Sequence, residues 1–142
     1  MKTIETIMSP RVVTIDMDDR LNTAKEIFDN VPFHHLVVLD EDNKVAGILS
    51  RKDLVNAISP NIGTAAELTR DIDTLQKRVH QVMSHEPIVI APDLSIDLAA
   101  KLILTEGITC LPVLKDKQLV GIISWRDLLA HYCHLGEVVP VE

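Results

Sequence analysis

Apolar residues follow two alternating rhythms along this chain, and the alternation occurs twice. A short β-rich run at 12–15 is followed by Leu21, Ala24, Ile27, Phe28 and Val31, spaced three and four apart. That spacing predicts a helix, capped by Asp18 or Asp19 and ended by Pro32. The continuous apolar run at 36–39 predicts a buried strand. Asp40-Glu41-Asp42-Asn43 predicts a hairpin loop, 45–49 the returning strand, and 51–58 a second helix. The later half repeats the series. It gives a strand at 88–90, a helix from about 95 to 105 with Gly107 as its C-cap, hairpin strands at 110–114 and 118–123, and a closing helix over 125–134. Each half reads strand, helix, strand, strand, helix.

The residues repeat as well as the rhythm. Gly47-Ile48-Leu49-Ser50-Arg51-Lys52-Asp53 recurs as Gly121-Ile122-Ile123-Ser124-Trp125-Arg126-Asp127. Met8-Ser9 recurs as Met83-Ser84, Ile15 as Ile90, Asp18 as Asp93, Ala24 as Ala99, and Leu36, Val38, Leu39 as Leu111, Val113, Leu114. After Asp42 the offset falls by one residue, which predicts a tighter turn in the second copy. A fixed offset with one gap marks an internal repeat. The chain divides into a first repeat over 1–60, a helical connector over 61–81, a second repeat over 82–135 and a loose tail over 136–142. The fold class expected is α/β (α+β), two β-α-β-β-α repeats packed with pseudo-two-fold symmetry.

Ser59-Pro60-Asn61-Ile62-Gly63 breaks the chain between the copies. Ala65, Leu68, Ile72, Leu75, Val79 and Val82 then step 3-4-3-4-3, the seam of a heptad helix. Such a stripe either packs on the chain's own core or pairs with a second subunit.

Composition narrows the function. With 142 residues the chain is one ordinary domain or two small ones sharing a core, and 46% hydrophobic content with 3% aromatic makes that core aliphatic. A net charge of −7 argues against nucleic acid and against an anionic membrane surface as partner. No apolar run approaches the roughly 18 residues of a membrane span, and the start lacks the apolar core of a signal peptide. Cys110 and Cys133 form no CxxC pair, which suits a cytoplasmic protein.

Ser50-x-x-Asp53 and Ser124-x-x-Asp127 are first of all helix-capping patterns. The same geometry suits a ligand. A hydroxyl at a helix start can hydrogen-bond phosphate, a carboxylate one turn in can accept from both hydroxyls of a ribose, and a nearby apolar strand can hold a flat base. Other chemistry has little support. His131 and His134 share a helix face, but spacing alone is weak evidence for a metal. No Ser-His-Asp order, phosphate loop or nucleophile with paired acids occurs, so no catalytic residue is assigned.

With His34-His35-Leu36-Val37-Val38 and Thr109-Cys110-Leu111-Pro112-Val113 each followed by the glycine motif, and Met8-Ser9-Pro10 and Met83-Ser84-His85 as openings, residues 3–133 resemble a tandem pair of CBS domains, the Bateman module. The connector resembles that of stand-alone bacterial CBS proteins of the acetoin-utilisation type. The resemblance implies two pseudo-symmetric clefts that bind AMP, ADP or ATP, less often S-adenosylmethionine or NAD. One cleft would join Ser124 and Asp127 to Ser9, Val12, Thr14, Phe33 and His34. The other would join Ser50 and Asp53 to Ser84, Pro87, Val89, Ile108 and Thr109. Arg126, Lys52 and His35 would reach phosphates, and Trp125 would pack at a rim. Val37 stands where the family often has proline. Few basic residues flank the motifs, which favours a monophosphate, and the clefts should be unequal. The implied function is a regulatory adenosine-nucleotide sensor, AMP foremost. It would need no further cofactor, form a homodimer and act by conformational change on a separate effector protein. A scaffold with empty clefts is the alternative.

Overall fold

The structure, a computed structural model, describes residues 2–135, the last two by their backbone alone. The tail expected at 136–142 and the side chain of His134 lie outside the described residues. The chain forms two compact units, and they are not the two sequence halves. One is Val13–Pro87 and the other is Met1–Val12 with Ile88–Glu142. Each opening Met-Ser segment is therefore built into the unit that holds the other copy's hairpin.

In the unit Val13–Pro87, β1 (Thr14–Asp16), β2 (His35–Leu39), β3 (Val45–Ser50) and β4 (Ser84–His85) form one sheet in that order. β1 runs parallel to β2, and the other pairs are antiparallel. α1 (Leu21–Asn30), α2 (Arg51–Ala57) and α3 (Thr69–Asp73) complete the unit. Its core gathers Ile15, Leu21, Ala24, Phe28, Leu36, Val38, Leu49 and Leu54, joined by Val79 from the connector and Met83 from beyond it. The helical spacing read at α1 is thus a core stripe, and Pro32 follows its end because the residue before a proline is driven out of the helical region. Val31 is extended there, with ψ 150.

The cap expected at Asp18 or Asp19 is not found. The residue at the N-cap of α1 is Arg20, whose side chain makes no capping bond. Asp19 instead closes the preceding turn, accepting from the Asp16 N–H at 3.0 Å. The free N–H of Leu21 is satisfied from the connector, by the carbonyl of Lys77 at 2.9 Å. The connector in turn donates from Val79 to the Asp19 carbonyl at 2.8 Å and from His80 to the Met17 carbonyl at 3.0 Å.

Those bonds explain why the heptad spacing does not produce one long helix. The connector holds α3 and two 3-10 turns, Thr74–Gln76 and Val79–Gln81, with Lys77 extended between the turns. An extended residue exposes its carbonyl to α1, which a helix interior could not do. The seam splits accordingly. Val79 is buried in the unit's own core, whereas Ala65, Leu68 and Ile72 are exposed. Asp71 pins the first part. Its carboxylate accepts from Ser59 Oγ at 2.8 Å and from the Leu68 N–H at 2.7 Å. The Ser59 hydrogen bond and then the Leu68 N–H hold its pKa below the usual carboxylate range, against the opposing effect of burial. A depressed folded-state pKa stabilises above the unfolded value and is lost as pH falls through the folded one. Hydrogen exchange over 59–76 is therefore expected to accelerate below about pH 4. Asp71→Asn should exchange fast already at neutral pH and lose that acid step. An acid step unchanged in the variant would assign it to another group.

In the other unit, β5 (Cys110–Lys115) and β6 (Gln118–Ser124) form a hairpin flanked by α4 (Ile96–Glu106) and α5 (Trp125–Leu135). Its turn is the tighter one expected: Asp116 and Lys117 both have positive φ, 50 and 66, the two-residue turn that matches strand twist. Ser95 caps α4 by accepting from the Leu98 N–H at 3.2 Å, and Gly107 ends it at φ 64. The strand expected at 88–90 is reduced to a single parallel bridge, Ile90 to Val113. Pro112 is the reason. In the first copy the Val37 N–H donates to the Val13 carbonyl at 3.1 Å. Pro112 occupies the matching place and has no N–H to give. The N-terminal strap closes this core: Ile4 is fully buried among Ile90, Ile96, Leu111, Ile123 and Leu128.

Candidate functional site

The two copies of the glycine motif become two strand–helix junctions, β3 into α2 and β6 into α5. At the first, Ser50 Oγ accepts from the Asp53 N–H at 3.0 Å, and Asp53 Oδ2 accepts from the Ser50 N–H at 3.0 Å. At the second, Asp127 Oδ2 accepts from the Ser124 N–H at 2.9 Å and from Ser124 Oγ at 3.2 Å. The Asp127 N–H in turn donates to Ser124 Oγ at 3.4 Å, so both junctions are reciprocal caps and the capping reading of the sequence holds. The caps engage only Oδ2. Oδ1 of each aspartate makes no hydrogen bond among the described residues. A carboxylate anchored through one oxygen at a strand end presents the other as a preorganised acceptor.

The glycine of each motif has a steric cause. The exchanged Met-Ser segment crosses its strand there: Ser9 bridges Ile122 with bonds of 2.9 and 3.0 Å, and Ser84 pairs with Ile48. A Cβ on Gly47 would lie 2.5 Å from the Ser84 carbonyl oxygen, and one on Gly121 2.9 Å from that of Ser9. Ser9 and Val12 thereby share a unit with Ser124, Arg126 and Asp127. Ser84 and Pro87 share one with Ser50, Lys52 and Asp53. Thr14, Phe33, His34 and His35 also belong to the unit Val13–Pro87, and Val89, Ile108 and Thr109 to the other.

The residue after each motif serine behaves differently in the two copies. The backbone role is shared: the Arg51 N–H donates to the His34 carbonyl at 2.9 Å, and the Trp125 N–H to the Thr109 carbonyl at 3.0 Å. The side chains diverge. Arg51 turns onto the end of α1, donating to the carbonyls of Phe33 at 2.7 Å, Phe28 at 2.7 Å and Val31 at 2.5 Å. Its guanidinium also covers the Phe28 ring at 5.0 Å. Trp125 is 43% exposed, with the Arg126 guanidinium over its ring at 5.4 Å. The sequence reading missed the Arg51 clamp. The signal was an α1 that ends on Val31-Pro32 with no glycine to turn its last carbonyls.

Among the described residues no group of three His, Cys, Asp or Glu side chains is arranged for a metal. No helix there is long and apolar enough to cross a membrane. Cys110 is buried, Cys133 is exposed, and no disulfide joins them.

Known proteins match this chain along nearly all of its length. A CBS domain-containing protein of Dictyostelium discoideum is 32% identical over 98% of this chain and 97% of its own length. The structure of a Vibrio cholerae protein assigned to acetoin utilization (AcuB) superimposes with a TM-score of 0.73, at 25% identity and 99% coverage of each chain. CBSX2, solved in complex with AMP, superimposes with a TM-score of 0.74 at 24% identity, covering 96% of this chain and 99% of that one. The CBS domain matches residues 4–60 and 79–134, so the chain belongs to the CBS-domain family and carries the domain twice.

Proposed function

We propose that this protein is a regulatory module that binds adenosine nucleotides, AMP foremost, and passes their presence to a separate effector protein by a conformational change. The observation that carries the reading is the doubled aspartate, capped through Oδ2 with Oδ1 unused, beside a hydroxyl at a strand end. Asp53 and Asp127 accept from the ribose hydroxyls. In this reading Ser50, Lys52, Ser84 and Pro87 serve the ligand together with the first acid, and Ser124, Arg126, Ser9 and Val12 with the second, Lys52 and Arg126 taking the phosphate. Thr14, Phe33, His34, Val89, Ile108 and Thr109 face the base, and His35 a phosphate. The AMP carried by CBSX2 supports the ligand class. ADP, ATP, S-adenosylmethionine and NAD are the competing ligands within it. Ser50, Asp53, Ser124 and Asp127 are read as groups that bind ligand without turnover, each serine and aspartate being engaged in its helix cap.

A ligand shifts only states that it binds unequally. A homodimer offers such states. Leu98, Leu104, Leu129 and Tyr132 lie exposed on α4 and α5, Leu104 at 81%. The caps favour one other reading, a dimeric scaffold in which Ser-x-x-Asp does nothing more than start a helix. Calorimetric titration with AMP, ADP, ATP, NAD and S-adenosylmethionine separates the two. Binding of AMP is expected in wild-type protein, and Asp53→Ala and Asp127→Ala should each weaken one site by at least about tenfold. The lost caps should cost about 1 kcal/mol of stability. No heat with any of the five at millimolar concentration supports the scaffold, and normal binding by both variants rejects the ribose role. Light scattering on the same samples reads the assembly, and a monomer throughout rejects the dimer.

A further inference from the structure

We propose that Trp125 is a positioning residue that holds Arg126 ready for phosphate, making the Asp127 motif the one that selects phosphorylated ligands. The inference rests on the nucleotide-binding reading above and goes beyond it, since that reading gives Arg126 and Lys52 the same task.

The two basic residues precede their aspartates identically in sequence, yet they differ in what steadies them. Arg126 lies over the Trp125 indole with its guanidinium 5.4 Å from the ring centroid. Lys52 is exposed and has no aromatic partner among the described residues. The partner it would use, the residue after the motif serine, is Arg51, and that side chain is spent on the carbonyls of Phe28, Val31 and Phe33 at and after the end of α1. The same position thus serves the α1 end in one copy. In the other, Gly107 ends α4 and the position is released to a tryptophan. The indole is 43% exposed and lies outside the core of its unit. Stacking leaves the guanidinium edge and its N–H groups open, so a stacked arginine can still meet a phosphate with two parallel bonds. Restricting its rotamers beforehand removes part of the ordering cost of binding.

The consequence is a difference between ligands rather than a uniform gain. Phosphate contact matters for AMP and is absent for adenosine. The test is a titration of wild-type, Trp125→Ala, Trp125→Phe and Arg126→Ala protein with AMP and with adenosine. Trp125→Ala is expected to weaken AMP about two- to fivefold, the worth of an exposed cation–π contact, while adenosine moves by less than about twofold. Trp125→Phe keeps a ring face and should retain most of the AMP affinity. Arg126→Ala should lose about tenfold for AMP, and the Trp125 effect should vanish in its background. Equal losses for AMP and adenosine in Trp125→Ala, or no loss for either, overturn the positioning role while the nucleotide reading stands. A wild type that binds neither compound overturns both.

Discussion

Gly47→Ala is expected to lower the stability of this protein by about 3 kcal/mol, the upper part of the range for overpacking a filled interior. The added methyl would meet the Ser84 carbonyl oxygen at 2.5 Å and Met83 Sδ at 2.6 Å. The sulfur belongs to a flexible side chain and can give way. The carbonyl cannot move cheaply, because Gly47 and Ile48 pair with His85 and Ser84 across the sheet. Relief requires β4 to lift from β3, and Met83, buried in the same core, would lift with it. Gly121→Ala should cost less, since its contacts are 2.8 Å to Met8 Sδ and 2.9 Å to the Ser9 carbonyl, and Met8 is only partly buried. Urea denaturation of the two variants against wild type measures the order. A loss below about 0.5 kcal/mol for Gly47→Ala, the level of an unconstrained surface change, would show that the exchanged segment is not held against the strand.

That pair of glycines shows how far the sequence carried and where it stopped. Local rules were sufficient where one stretch of chain settles its own conformation. The Ser-x-x-Asp caps, the Gly107 stop, the tighter hairpin turn of the second copy and the helical stripe from Leu21 to Phe28 were all legible as written. The repeat was legible too, because identical residues recur in order. Tertiary bonds decided the rest. Spacing in the connector satisfied a heptad, but spacing cannot reveal that Leu21 needs the Lys77 carbonyl, and that bond breaks the helix. The strand at 88–90 looked as good as its counterpart at 12–15 until Pro112 faced it. Val37, read as a departure from the family pattern, gives the first copy the ladder bond that the second lacks. For the candidate site, residue types and spacing pointed to Asp53 and Asp127, but only geometry shows that the cap bonds fall on Oδ2 alone of each carboxylate. The unequal treatment of Arg51 and Trp125 was likewise out of reach, since nothing in a repeat says which copy will turn a side chain inward.

Arg51→Ala is expected to cost about 3 kcal/mol, more than any substitution at the corresponding Trp125, because Pro32 stops α1 without offering a donor and Arg51 is what meets the carbonyls at its end. The last carbonyls of a helix must find donors. At α4 the chain turns left-handed at Gly107 and its own backbone supplies them: the Gly107 N–H reaches the Ile103 carbonyl. At α1 the following residues are Val31, extended, and Pro32, which has no N–H. One guanidinium therefore supplies the carbonyls of Phe28, Val31 and Phe33 together. Removing a charged donor from partly buried carbonyls loses about 1.5–3 kcal/mol per strong bond, less what water recovers at the exposed edge. A total near 3 kcal/mol follows once that recovery is allowed for three bonds. Arg51→Lys should restore under half of it, since a single ammonium cannot span three carbonyls in the plane of a fork. Hydrogen exchange adds a local signature. Amides over 28–34 should open first in Arg51→Ala, while those of α4 and β5 keep wild-type protection. Full rescue by lysine would mean that charge beside the helix end is what matters, and the specific reach of the guanidinium would then have no role in ending α1.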